Sequence, residues 1–101
     1  MSDRRVVITG IGPVTPIGIG VQPFWEALLG GKSGVRRISQ FDPSRFESQI
    51  GGEIDGLDVK NCVPKGYRKF TKVMARDIEI AVVAAWQAAK DADLRTRCLL
   101  E

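Results

Sequence analysis

The sequence predicts an α/β chain, and three features carry that prediction. An apolar, β-favouring run, Val6-Val7-Ile8, lies near the start and is closed by Gly10 and Gly12. A helical apolar period occupies Thr71 to Ala92. The composition, 44% hydrophobic and 27% charged over 101 residues, is globular, and the length holds one domain or part of one.

Taken in order, Arg5 to Thr9 reads as a strand buried on both faces, because its apolar residues follow one another without polar alternation. From Gly10 to Gly20 the chain holds four glycines and two prolines, which predict an ordered loop with tight turns. Pro23 predicts the first position of a short helix with an apolar stripe of Phe24, Trp25, Leu28 and Leu29, stopped by Gly30 and Gly31. Residues 32–45 read as surface chain with single anchors at Val35, Ile38 and Phe41. Ser48 to Ile54 reads as a second short strand interrupted by Gly51 and Gly52, and Asp55 to Tyr67 is polar and turn-rich.

The long helix is the strongest periodic signal. Met74, Ile78, Ala81, Val82, Ala85, Ala89 and Ala92 mark one face, about 33 Å long at 1.5 Å per residue. Thr71 is its expected N-cap. Between Ile78 and Ala89 only Glu79 and Gln87 are polar, so the helix is apolar nearly all round and requires neighbours on more than one side. Its small residues, Ala81, Ala84, Ala85, Ala88 and Ala89, admit close approach. One strand, a second short strand and a short helix cannot cover it. Either the chain oligomerises tightly or it is the front part of a larger α/β domain, and the sequence arithmetic leaves both open.

The absence of histidine excludes a Ser-His-Asp triad, a Cys-His pair and an imidazole metal site built by these residues alone. Cys62 and Cys98 lie 36 positions apart, form no CxxC pair and read as reduced cytosolic thiols. Neither qualifies as a nucleophile, lacking both a base and a helix N-terminus to lower its pKa. Cys98, before Leu99 and Leu100, reads as the start of a buried strand. No apolar run approaches the ~20 residues of a membrane span, and the opening residues make no signal sequence, so the expected location is the cytoplasm. Asp91 and Asp93 read as a helix-terminating surface turn rather than a carboxylate pair.

Gly10-Ile11-Gly12 invites a dinucleotide fingerprint, but Thr15 occupies the third glycine position and Pro16 follows where a helix should open. Gly31-Lys32-Ser33 could close a Walker A loop, yet Glu26 stands where its first glycine belongs. No cofactor or metal site is expected. One charge feature remains: from Lys60 to Arg76 there are six cations (Lys60, Lys65, Arg68, Lys69, Lys72 and Arg76) and no carboxylate, with Tyr67 and Phe70 interleaved. A solvated rim, an acidic protein partner and nucleic acid are its three readings. The modest net charge of +3 and the lack of a recognition motif speak against nucleic acid.

The series Arg5-Val6-Val7-Ile8-Thr9-Gly10-Ile11-Gly12 and Val14-Thr15-Pro16-Ile17-Gly18 resembles the opening of the β-ketoacyl-[acyl-carrier-protein] synthases, in particular the chain-elongating type. The likeness continues through Phe24-Trp25-Glu26-Ala27-Leu28, Gly31-Lys32-Ser33-Gly34-Val35, Phe41-Asp42-Pro43-Ser44, Gly52-Glu53-Ile54, Met74-Ala75-Arg76-Asp77 and Ala89-Lys90-Asp91-Ala92. It runs from Arg5 to about Leu94, and the ordered series is more specific than any one piece.

What the resemblance implies is a partial thiolase-like fold, the N-terminal part of the first αβαβα half, with residues 1–101 an incomplete N-terminal segment. Family members hold an acyl group as a thioester on a cysteine and condense it with malonyl on acyl carrier protein by decarboxylation, in fatty-acid or polyketide biosynthesis. They use two histidines and no metal or organic cofactor, and act as homodimers. The nucleophilic cysteine, in a strand-to-helix elbow, and both histidines have no matching position here, so these residues alone are expected to be inactive. Cys98 lacks the elbow's small-residue surroundings and is not that cysteine. The family's carrier-docking cations match Lys69 and Lys72, with Arg68 and Arg76 as neighbours, while Val73 stands where a second adjacent cation is often found. Asp93 replaces a glycine that often follows the helix. The alternative implied is a short non-catalytic dimerisation or interaction module derived from the same fold.

Overall fold

A computed structural model describes residues 3–95. The order is β1 (Val14–Thr15), β2 (Gly18–Ile19), α1 (Val21–Leu29), β3 (Val35–Arg37), β4 (Ile50–Gly52), α2 (Val59–Cys62), a 3₁₀ segment (Lys65–Val73) and α3 (Arg76–Asp91). The reading of Cys98 as a buried strand start lies outside the described residues.

The expected loop from Gly10 to Gly20 is ordered as predicted, and its turn is a miniature antiparallel hairpin. Val14 pairs with Ile19 and Thr15 with Gly18, and the Thr15 hydroxyl donates to the Gly18 carbonyl at 2.7 Å. The Gly20 N–H donates to the Pro13 carbonyl at 2.9 Å, which closes the loop one residue before α1. That helix starts two residues earlier than Pro23 suggested. Gly20, at φ +99°, supplies a backbone conformation that other residues resist, and Pro23 still falls within the first turn, where its missing N–H is not needed. Gly31, at φ +66°, ends it as expected.

The second short strand is present but shorter than read, and its partner comes from the stretch assigned to surface chain. Val35, Arg36 and Arg37 pair antiparallel with Gly52, Gly51 and Ile50. Gly51 and Gly52 therefore sit inside the strand. A Cβ on Gly52 would lie 2.8 Å from the Pro16 ring, so this hairpin nests against the first one.

The long helix begins later than its apolar period. Residues 65–73 form the 3₁₀ segment, Met74 is extended, and Ala75 rather than Thr71 is the N-cap of α3. The Thr71 hydroxyl instead donates to the Arg68 carbonyl at 2.7 Å inside the 3₁₀ segment. Asp77 and Glu79 occupy the first turn of α3, where carboxylates favour the helix N-terminus. At the other end Asp93 takes the left-handed conformation at φ +53°, and the Leu94 N–H reaches back to the Ala89 carbonyl at 2.9 Å.

Gly10 and Gly12 dock on α3. A Cβ at Gly12 would lie 2.0 Å from the Ala84 carbonyl oxygen, and one at Gly10 would lie 2.4 Å from that of Ala88. Backbone thus meets backbone, with alanines on the helix side. The Ile11 N–H donates to Asp91 Oδ2 at 3.0 Å, pinning the residue between the two glycines. Here the small-residue face of the helix finds its partner.

The remaining apolar surface does not. Val83 (2% exposed) and Val59 (8%) are the buried core side chains. Arg5 to Thr9 forms no strand, because no other described segment lies alongside to pair with it; Val6, Val7 and Ile8 are 93%, 73% and 84% exposed. The accessible surface is 8124 Å², against about 5,700 Å² for a closed globule of 11.1 kDa. The radius of gyration, 16.9 Å, likewise exceeds the roughly 13 Å of a compact 100-residue domain. Substituting Gly12→Ala forces a methyl group into the α3 backbone; it is expected to destabilise the fold by about 1–3 kcal/mol, read as a lower urea midpoint by circular dichroism.

Candidate functional site

Apart from Lys60, which lies on α2, the basic run divides into two sets. Lys65, Arg68, Lys69 and Lys72 lie on the 3₁₀ segment, where three residues complete a turn, so Lys69 and Lys72 fall on one side. Gly66 is an ordinary member of this segment. Lys65, Lys69 and Lys72 are exposed, and among the described residues none of them forms an ion pair. Lys69 Nζ lies 5.3 Å from the centre of the Phe70 ring, and Tyr67 tilts against the same ring. Arg68 is half-buried, and among the described residues its Nε finds no hydrogen-bond acceptor.

Arg76 belongs to the other set. Its guanidinium donates to the Ile54 carbonyl at 2.6 Å and lies 3.4 Å from Glu79, which ties the start of α3 to the chain leaving β4. Arg68, Lys69 and Lys72 thus share the 3₁₀ segment, while Arg76 stands one element further on with two oxygens already in its reach.

Just before Ile54, Glu53 makes a clasp that sequence reasoning missed. Its side chain is only 8% exposed, and it accepts the Ser39 N–H at 2.5 Å and the Ser39 hydroxyl at 2.7 Å. Hydrogen bonds from that hydroxyl and then that N–H hold the Glu53 carboxyl below the ordinary glutamate range, against an upward push from burial. Arg36 lies 3.7 Å from the same carboxylate and 2.6 Å from Asp55. The available signal was the position of a carboxylate directly after a glycine-containing strand, with a serine two residues beyond the opposing strand.

The other sequence candidates have structural roles. Gly10-Ile11-Gly12 faces a helix side rather than a helix N-terminus, so its glycines serve packing. Asp91, read as surface turn, anchors Ile11, whereas Asp93 is in the turn itself. Burial, and next the nearby Asp58, push the Cys62 thiol up, with Lys90 opposing, which leaves it poorly suited to nucleophilic work at neutral pH. A cleft of about 290 Å³ between the hairpins is lined by Pro16, Ile17, Lys32, Ser33, Arg36 and Asp55 among others. Among the described residues no group of three His, Cys, Asp or Glu side chains could hold a metal ion, and no helix is long and apolar enough to cross a membrane.

An α/β segment with exposed layers, a glycine-docked alanine helix and a basic 3₁₀ turn is part of a thiolase-like fold. The family described as the N-terminal domain of beta-ketoacyl synthases matches residues 3–100, and the chain belongs to it. A Streptomyces halstedii protein named as a polyketide beta-ketoacyl synthase 1 is 44% identical over 103 residues, covering 93% of this chain and 22% of that protein. The 3-oxoacyl-[acyl-carrier-protein] synthase 2 of Coxiella burnetii is also 44% identical, over 95 residues and with the same coverage. Among solved structures, the ishigamide ketosynthase/chain length factor superposes with a TM-score of 0.75 at 33% identity, over 93% of this chain and 23% of that one. The chain therefore spans about a fifth of the length of the relatives it matches. It belongs to a condensing-enzyme family involved in acyl-chain elongation and linked to fatty-acid and polyketide biosynthesis.

The depressed Glu53 value sets a sign for pH dependence. An unfolded glutamate titrates near ~4.3, so the clasp contributes fully above about pH 5 and is lost as pH falls through the lower folded value. Urea midpoints measured from about pH 7 down to about pH 3 are expected to drop along this limb, and Glu53→Gln is expected to flatten it.

Proposed function

We propose that this chain acts as a non-catalytic interaction module of the ketosynthase fold, its open layers completed by a further body of that fold. The observation that carries this reading is the Val6-Val7-Ile8 run, which is apolar, exposed and without strand partners among the described residues. Apolar backbone of this kind is costly to leave in water and is a template for pairing. On this reading the completing body is a second copy of the chain, and the pair works in the cytoplasm and holds no metal or organic cofactor. On the competing reading residues 1–101 are the incomplete N-terminal segment of a longer enzyme, which would perform the decarboxylative condensation of an acyl thioester with malonyl on a carrier protein. The sequence contains no histidine, so on that competing reading the proton and charge handling of the reaction would rest on residues of the enzyme beyond these 101.

Gel filtration with light scattering, joined to a thermal melt by circular dichroism, tests it. The expected result is a complex of at least twice the 11.1 kDa chain mass that melts cooperatively and is broken by Val7→Lys. A cooperatively melting monomer would overturn the interaction module. Aggregate without a melt would favour the segment as an inseparable part of a longer enzyme.

A second reading concerns the basic turn. Because Lys65, Lys69 and Lys72 are exposed and form no ion pair among the described residues, the segment that also holds Arg68 suits an acidic partner, and acyl carrier protein is the one the family supplies. Arg76 would contribute less directly, by holding the end of that segment. In the assembled ketosynthase, Lys69→Glu with Lys72→Glu is expected to raise the carrier protein Kd at least tenfold at low salt, as read by titration calorimetry. Unchanged affinity would remove the basic turn from the docking surface.

A further inference from the structure

Arg36-Arg37-Ile38-Ser39 places two guanidinium groups three and two residues before an exposed serine. We propose that Ser39 is a phosphoacceptor for an arginine-directed serine kinase, and that its modification opens the Glu53 clasp. Neither step depends on the condensing chemistry.

The recognition argument rests on charge and access. A kinase whose substrate groove carries carboxylates is complementary to paired arginines at fixed spacing before the hydroxyl. Arg36 is engaged with Asp55, and Arg37 donates to Gln49 Oε1. Both contacts are exposed, and exposed polar pairs of this kind are weak, so an acidic groove can compete for the arginines. The segment itself is held by a short ladder: three residue pairs join β3 to β4, and one further bond runs from the Ile38 N–H to Gln49.

The chemistry balances with a nucleoside triphosphate as phosphoryl donor. Ser39 Oγ forms a bond to the γ-phosphorus, and the bond from that phosphorus to the bridging oxygen breaks. Nucleoside diphosphate leaves, and the hydroxyl proton passes to the kinase's base. The product removes the donor that now reaches Glu53 Oε2 at 2.7 Å and puts nearly two negative charges in its place. Glu53 is nine-tenths buried and already an anion, so the two groups cannot keep this geometry. Arg36, within 3.7 Å of Glu53, is positioned to exchange its carboxylates for the phosphate. The loop after β3 is thereby released from the end of β4.

The test treats the 101-residue chain with the catalytic domain of an arginine-directed serine kinase and magnesium ATP, followed by intact mass and fragment mapping. The expected result is one phosphate, on Ser39, absent from Ser39→Ala and retained, as phosphothreonine, in Ser39→Thr. Arg37→Gln, which touches only the exposed Gln49 contact, is expected to slow labelling at least tenfold. Amide exchange at Ser39 should accelerate at least tenfold on phosphorylation, since that N–H donates to Glu53. Labelling at Ser44 or Ser48 with Ser39 unmodified would overturn the site. A phosphorylated Ser39 whose amide exchange is unchanged would overturn the opening.

Discussion

Everything in this structure is arranged around the contact of a two-glycine backbone with the side of one helix. At Gly12 and Gly10 the chain comes so near the Ala84 and Ala88 carbonyls that no side chain fits between them. Ile11 is held at the same spot by Asp91, so position and spacing are set together. The first hairpin, α1 and the nested second hairpin follow from where this contact leaves the chain. The interaction is short-range and dispersive, and it depends on small residues on both sides. It also explains why a helix apolar nearly all round can begin to be satisfied by so little protein.

The same contact shows what sequence reasoning could and could not reach. The helix, its small-residue character and its shortage of partners were all legible, because they are carried by local periodicity. The glycine pair was legible as a turn-rich element but was weighed against phosphates, when its counterpart was the Ala84, Ala88, Ala92 series. Matching the two needs a long-range pairing that no local pattern encodes. The start of α3 was misplaced for another reason: the apolar period passes through Thr71 and Met74, while the backbone there follows a 3₁₀ turn and then an extended residue. Periodicity reports which side chains share a face, and it is insensitive to the change from one helix type to another.

The four cations read from the sequence were neighbours in number but not in work. Arg76 is committed to the Ile54 carbonyl and Glu79, and Lys69 and Lys72 to no carboxylate among the described residues. A guanidinium suits the first task because its fork can bridge a carbonyl and a carboxylate, whereas an ammonium on a flexible stem suits an open surface. The Glu53 clasp was missed because its two halves, Ser39 and Glu53, are fourteen residues apart, and their strand-end positions become a signal only once the hairpin register is known. Family resemblance located the chain on a known scaffold, and only the geometry distinguished structural charges from available ones.

The 3₁₀ turn carries a metrical consequence. With about 2.0 Å of rise per residue, Lys69 and Lys72 are separated by about 6 Å along its axis. Four residues of an α-helix rise by about the same 6 Å. On the docking proposal, carboxylates four residues apart on a partner helix would match that axial spacing. Had residues 65–73 been α-helical, three residues would have advanced only about 4.5 Å and turned the second lysine off the first one's line. The tighter winding thus sets the two lysines on one line, the spacing on which the proposed acidic docking would draw.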